Sequence, residues 1–242
     1  MEYFNPYTFD VYIFDVDECI IMGHSLIIIS TYLFKKYLRR FSPISFKFLL
    51  SGVVLYTFKL FRCMDLQFSN LLLLKLFIFA LKGVKYEDYV EGVRIAAKSA
   101  DRNFYEFFKG ICDKKCSFVS FGLKDVVKEI LKGLGKEFGE NVRIFSNDIL
   151  VESGRIINFS KDLFWRRLDK VKVTENQMEN GEKVLLFGHS SNESLLCEAV
   201  ERVGGVCIGI GNISGFNKKR FFRVYRNWGE FLKEVGDERY KG

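Results

Sequence analysis

Asp15 and Asp17 are separated by one residue and follow directly on a short apolar run, Val11-Tyr12-Ile13-Phe14. Two carboxylates this close can share a cation, and beside a phosphoryl group one can attack phosphorus while the other moves a proton. Asp is also common in the turn that closes a strand, so the pair by itself leaves both meanings open. Other groups suited to phosphoryl transfer lie downstream. Ser120, with Phe121 and Gly122 behind it, follows a second apolar run, Lys161 precedes a helical stretch, and the loop Gly188-His189-Ser190-Ser191-Asn192-Glu193 follows Val184-Leu185-Leu186-Phe187. Phosphoryl transfer demands positioning and charge neutralisation, which a lysine, a hydroxyl, backbone N–H groups at helix starts and a divalent cation supply. The chain has two histidines, His189 and His24. His24, with Ser25, lies just beyond the first motif and within reach of the same site.

The elements that must hold these groups can be read from periodicity. Residues 11–14 are β-branched and aromatic without helical spacing, which predicts a buried central strand of a parallel sheet. In such sheets ligands bind at the carboxyl ends of the strands, where Asp15 falls. Strands are predicted at 116–119, 183–187, 206–210 and 221–225, and a strand pair or flap at 142–145 with 149–157. Helices are predicted at 123–134, 162–173, 194–203 and 228–235. Strand and helix alternate, so the expected fold class is α/β, with a doubly wound, mainly parallel sheet. Residues 24–112 break the alternation with four apolar helical stretches, 26–38, 46–60, 68–81 and 86–108. The expected organisation is a core of 1–22 and 113–242 with a helical cap, 23–112, inserted after the first strand. The longest apolar runs of the cap fall short of the ~20 residues a bilayer span needs. The block reads as the interior of a small bundle, or as an interfacial surface on which Lys35, Lys36, Arg39, Arg40, Lys47, Lys59 and Arg62 meet anionic lipid.

A net charge of +7 on 242 residues favours anionic partners. The basic residues are spread along the chain, with Lys218-Lys219-Arg220 the tight cluster, so no nucleic-acid partner is expected. Six cysteines are scattered without a Cys-x-x-Cys pair, and the first ten residues lack a basic head before an apolar core. Both points suggest a cytoplasmic protein with reduced thiols, with attachment to the periphery of a membrane through the cap left open. Cys112 and Cys116 have helical spacing, but no second pair completes a zinc site.

Together, Asp15-x-Asp17, Ser120-Phe121-Gly122-Leu123, residues 147–156, a lysine at a helix start and Gly188 to Glu193 with Leu195-Leu196-Cys197-Glu198-Ala199 resemble the haloacid dehalogenase-like (HAD) superfamily of phosphotransferases, in particular its phosphoserine phosphatase branch. The resemblance runs over nearly the whole chain. It implies a Rossmann-type core with an inserted helical cap and a phosphatase acting on a small phosphorylated metabolite through an aspartyl-phosphate. Asp15 would be the nucleophile and Asp17 the general acid and base. Ser120, Phe121, Gly122 and Lys161 would bind phosphate, with His24 and Ser25 at the cap entrance. Ser146 competes with Ser120 for the phosphate-binding role, but leaves no room for a crossover helix. Lys170 and Lys172 compete with Lys161, but fall late in the predicted helix and are expected to point away from the strand ends.

Three departures stand out. His189 replaces the family's Asp, Glu193 its final Asp, and Cys19 its usual Thr. The resemblance implies magnesium held by Asp15, Asp17, His189 and Glu193. Imidazole suits manganese or another transition metal better, so His189 also leaves open a changed metal, a lost metal, or a histidine cation binding phosphate. The alternative function is a catalytically degenerate relative that serves as a binding or regulatory subunit, its cap docking on a protein partner.

Overall fold

In the computed structural model, which describes residues 4–61, 66–135, 139–160, 163–179, 181–189, 193–213 and 220–239, β1 (Val11–Phe14) lies in the middle of a six-stranded sheet with all four residues buried. The strand order is β3-β2-β1-β6-β7-β8, formed by β2 (Lys115–Leu123), β3 (Val142–Asn147), β6 (Val184–Gly188), β7 (Val206–Ile210) and β8 (Arg223–Tyr225). Every pairing in it is parallel, so both faces must be covered by crossover segments.

The two-residue period of β1 sends Tyr12 and Phe14 to one apolar cluster and Val11 and Ile13 to another. On the first face Phe14 stacks between Phe118 of β2 and Phe187 of β6, with ring centroids 5.2 and 5.3 Å apart. This row is closed by α5 (Arg102–Lys109) and by α9 (Trp228–Arg239), whose Trp228 lies 5.2 Å from Phe104 and 4.8 Å from Phe187. The second face is covered by α7 (Arg167–Glu175) and α8 (Ser194–Arg202) through Val171, Leu196 and Val200. The remaining crossover helix, α6 (Lys124–Lys132), links β2 to β3.

Between β1 and α5 run α1 (Ser25–Leu38), α2 (Pro43–Phe61), α3 (Leu66–Leu81) and α4 (Tyr86–Ala97). The stretch 86–108, expected as one helix, is two. Ala100 bridges to Ile21, and the Asp101 carboxylate accepts the Asn103 N–H and so starts α5 as an N-cap. Residues 142–145 also differ from expectation, because β3 joins the main sheet beside β2. The flap is a separate antiparallel hairpin of β4 (Ile149–Glu152) and β5 (Arg155–Phe159). It clasps the helical block through the Gly83 N–H donating to the Ile156 carbonyl (2.8 Å) and the Tyr86 N–H to the Gly154 carbonyl (2.9 Å).

Lys36 is paired with Asp88 and Glu91 at 2.8 and 2.6 Å, which takes it out of the row of cations offered to anionic lipid. Arg62 and the side chain of Lys59 lie outside the described residues. Among the described residues no helix is long and apolar enough to cross a membrane.

Candidate active site

The carboxyl ends of β1, β2 and β6 meet at one small cleft. Asp15 follows β1, and its backbone N–H donates to the Phe187 carbonyl at 2.9 Å, so the parallel ladder fixes the main chain of the expected nucleophile. Its Oδ1 accepts a hydrogen bond from Lys170 Nζ at 2.9 Å, and the same ammonium donates to Glu193 Oε1 at 3.0 Å. All three side chains are at least nine-tenths buried. The ammonium also stands 4.5 Å from the centre of the Phe121 ring.

Lys170 was expected to point away from the strand ends, and it is at the centre of the site. The helix predicted over 162–173 begins at Arg167 instead. That places Lys170 one turn from the helix start, facing the sheet, whereas Lys172 is exposed. Lys161, the expected phosphate-binding lysine, lies outside the described residues.

Asp17 sits at the start of α1. Its Oδ1 accepts the Ser25 backbone N–H at 2.7 Å, so the positive end of a 14-residue helix faces this carboxylate. Ser25 is buried and holds Asp17. A Cβ on Gly122 would stand 2.9 Å from Asp17 Oδ2, 3.1 Å from Ser25 Oγ and 3.2 Å from Ser120 Oγ, so glycine lets the three groups converge. Ser120 is buried and lines the cleft, and its Oγ accepts the Gly122 N–H at 3.0 Å. Ser146 has a buried hydroxyl with no partner among the described residues and does not line the cleft.

The β2 end is irregular, with a register shift between Val119 and Leu123. Asn147 holds it in place. The Asn147 amide donates to the carbonyls of Phe121 (2.8 Å) and Phe164 (2.9 Å), and its oxygen accepts the Phe164 N–H at 2.8 Å. One buried side chain thus ties the Ser120 turn to the segment that leads into α7. On the third strand, Gly188 allows Glu193 to fold over the sheet edge, because a Cβ there would meet Glu193 Cγ at 2.8 Å.

Electrostatics follow from this packing. Burial raises the carboxyl of Asp15, the charges of Glu193 and Asp17 add to the rise, and Lys170 opposes it; the result is about 7. Burial also raises Asp17, against the pull of Ser25. Burial alone would lower Lys170, but the charges of Asp15 and Glu193 and its bonds to them hold it well above an ordinary lysine.

Both histidines face Glu18, a residue with φ of +59° in the turn after Asp17. His24 Nε2 is 3.5 Å and His189 Nδ1 3.3 Å from the same Glu18 oxygen. The expected metal ligands Asp15, Asp17, His189 and Glu193 all line the cleft. His189 is turned to Glu18 and Glu193 holds Lys170, and among the described residues no cluster of three or more His, Cys, Asp or Glu is placed to hold a metal. The donor set does suit magnesium in another way, since Mg²⁺ characteristically takes one or two carboxylates and fills its octahedron with water and phosphate oxygens. Among the described residues of the cleft, Asp15, Asp17 and Glu193 against the ammonium of Lys170 also leave a buried excess of negative charge that would repel a phosphate dianion unless a cation or protons offset it. The thiols of Cys112 and Cys116 donate to the backbone carbonyls of Lys109 and Ile111.

A parallel sheet with this order and a helical block inserted after the first strand make an α/β Rossmann-like fold of the kind seen in solved HAD-family phosphatase structures. Solved structures with that fold superpose over most of the chain. A substrate-bound phosphoserine phosphatase complex matches with a TM-score of 0.64 at 14% identity, over 94% of this chain and 98% of that one. A HAD-family hydrolase from Salmonella enterica serovar Typhi matches with a TM-score of 0.63 at 12% identity, over 92% and 69%. Cytosolic 5′-nucleotidase IIIB bound to cytidine matches with a TM-score of 0.62 at 11% identity, over 96% and 87%. No family model matches the sequence, and no curated protein does.

Lys170, Asn147 and Glu18 are the site residues that sequence reasoning missed. A signal for Lys170 was present: the Asp169 carboxylate accepts the Arg166 backbone N–H at 3.0 Å, and an acid three residues past the N-cap marks the helix start. Asn147 opens the stretch 147–156 that carried part of the resemblance, but its clamp left no local trace, because its partners Phe121 and Phe164 are distant in sequence.

Proposed function

We propose that this chain is a phosphomonoester hydrolase that forms an aspartyl-phosphate on Asp15. The observation that carries the reading is the buried Lys170 bridge between Asp15 and Glu193, set at the same sheet edge as Asp17 and Ser120. Lys170 offsets the charge of the nucleophile and holds the Asp15 carboxylate against the mouth of the cleft. The free oxygen of Asp15 attacks phosphorus, the bond from phosphorus to the ester oxygen breaks, and Asp17 in its protonated form gives the leaving alkoxide its proton. Burial, which raises Asp17, favours that protonated state. Asp17, now ionised, then takes a proton from water as the water attacks the aspartyl-phosphate, so that an ester and water become an alcohol and inorganic phosphate. The Ser120 hydroxyl and the Lys170 ammonium bind the transferring oxygens. A magnesium ion on Asp15 and Asp17 would supply the remaining positive charge.

The test is phosphate release from an aryl phosphate by purified protein with magnesium or manganese, with Asp15→Asn as the control. Turnover that disappears in the variant is expected; equal rates in the two proteins would refute the mechanism. A second reading, a binding subunit without turnover, is favoured by one observation: the residue at the family's metal-ligand position, His189, is paired with Glu18. Under that reading the native protein is silent with every metal, and His189→Asp creates activity.

A further inference from the structure

The cleft that holds Asp15, Asp17 and Lys170 is small, about 90 Å³, whereas the helical block beside it forms a cavity of about 520 Å³, open to solvent on one side, between α1, α2 and α3. Small-molecule sites span roughly 300–1,000 Å³, so the cleft alone cannot hold a substrate and the larger cavity can. The two spaces share Leu26 of α1 and Leu73 of α3 as walls. An ester whose phosphorus sits at Asp15 therefore meets, on its leaving-group side, the apolar cavity lined by residues such as Phe34, Phe48, Leu76 and Phe77.

Two details set the chemistry of that leaving group. Among the described residues lining the cavity none is charged. The ammonium and carboxylate of an amino-acid phosphate would have no counter-charge there, and burying them unpaired is costly. At the junction, Asn70 of α3 lines the catalytic cleft, and its Nδ2 is buried with no hydrogen-bond partner among the described residues. A buried donor left open calls for an acceptor brought by the ligand.

Resting on the phosphatase reading above, we infer that the substrate is a phosphomonoester of a long-chain apolar alcohol. Its phosphate lies at Asp15, an oxygen close to the ester linkage accepts from Asn70, and its hydrocarbon chain fills the cavity between α1, α2 and α3. A chain covalently continuous with the phosphate is favoured over a separate partner because the cavity begins where the catalytic cleft ends. The exposed side chains at its outer rim, Leu49, Val53 and Tyr56, are then the entrance for that chain.

The experiment is a series of n-alkyl phosphates with two to ten carbons, each below its micelle concentration, with O-phosphoserine alongside and magnesium present. In parallel, binding of decyl phosphate to Asp15→Asn is measured by calorimetry. Burial of each added methylene is expected to raise kcat/KM about three- to fourfold until the cavity is full, with O-phosphoserine at the bottom of the series. Gly52 lines the cavity, and a Cβ there would meet nothing within 4 Å; Gly52→Phe is expected to narrow the cavity and flatten the climb. Turnover with a flat series, or with O-phosphoserine preferred, overturns the substrate class and leaves the phosphatase reading intact. Decyl phosphate bound without turnover of any ester supports the cavity assignment and removes the phosphatase reading. Absence of both binding and turnover overturns both. Turnover that appears only on vesicles, without dependence on chain length, assigns the apolar walls to membrane contact and overturns the inference.

Discussion

Replacing Lys170 by methionine keeps the aliphatic stem against Phe121 and removes the charge between Asp15 and Glu193. Lys170 is 3% exposed, so the change strips a buried cation from two buried carboxylates. Breaking such a pair costs about 3–5 kcal/mol where both acids are ionised. The cost must depend on pH. With Lys170 present Asp15 titrates near 7, raised by burial and lowered by the lysine, so loss of the lysine moves it higher. In the native protein the raised Asp15 contributes stability fully below the unfolded value of 3.8, which is lost as pH rises to about 7. Above pH 7 the folded native protein releases this proton and the folded variant retains it, while the unfolded carboxylate is ionised in both. The stability of the variant relative to the native protein then falls by about 1.4 kcal/mol per pH unit. Urea unfolding with a chelator present, followed by the fluorescence of buried Trp228, measures this at pH 6 and pH 8.5. A penalty of the same size at both pH values, or one under about 1 kcal/mol, would refute the buried-bridge argument. Turnover of Lys170→Met should drop by roughly 10²–10³, and Lys172→Met should be unaffected. The opposite pattern, with Lys161→Met abolishing turnover and Lys170→Met leaving it unchanged, would return the phosphate-binding role to Lys161.

Gly122→Ala drives a methyl group to within 2.9 Å of Asp17 Oδ2; a loss of about 1–3 kcal/mol in stability and a fall in kcat/KM are expected in urea and steady-state assays. Asn147→Ala leaves the Phe121 and Phe164 main-chain groups unsatisfied and should cost about 2–4 kcal/mol by urea unfolding. Asn147→Asp, which turns an acceptor toward two carbonyls, should cost more, and equal stability would show that the clamp is unimportant. With metal removed, kcat/KM for any residual turnover should fall below about pH 7 as Asp15 takes up its proton, and adding magnesium should move that limb to lower pH; a limb that ignores magnesium would separate Asp15 from the metal.

Local pattern in the chain was enough for part of this site. The run 11–14 is apolar on both faces, which only a central parallel strand tolerates, so Asp15 and Asp17 at its carboxyl end followed from sequence alone. Ser120 was singled out as the residue after the apolar run 116–119, but it lies inside β2, which continues to Leu123, and Glu193 was singled out by the resemblance. Tertiary structure decided which lysine meets them. Lys170 and Asp15 are 155 residues apart, and the phase of α7 depends on where the helix starts after the β4–β5 hairpin and the Asn147 clamp, neither of which leaves a periodic trace. The same holds for His189, whose type suggested a metal ligand and whose ring is turned to Glu18 by a turn in left-handed backbone. It also holds for α5, which reads as part of the helical block and packs on the sheet because its phenylalanines fit the row around Phe14. Spacing along the chain fixes which residues lie at a strand end. Which distant side chain arrives to neutralise them is fixed by packing, because burial makes an unpaired charge too costly for the fold to leave alone.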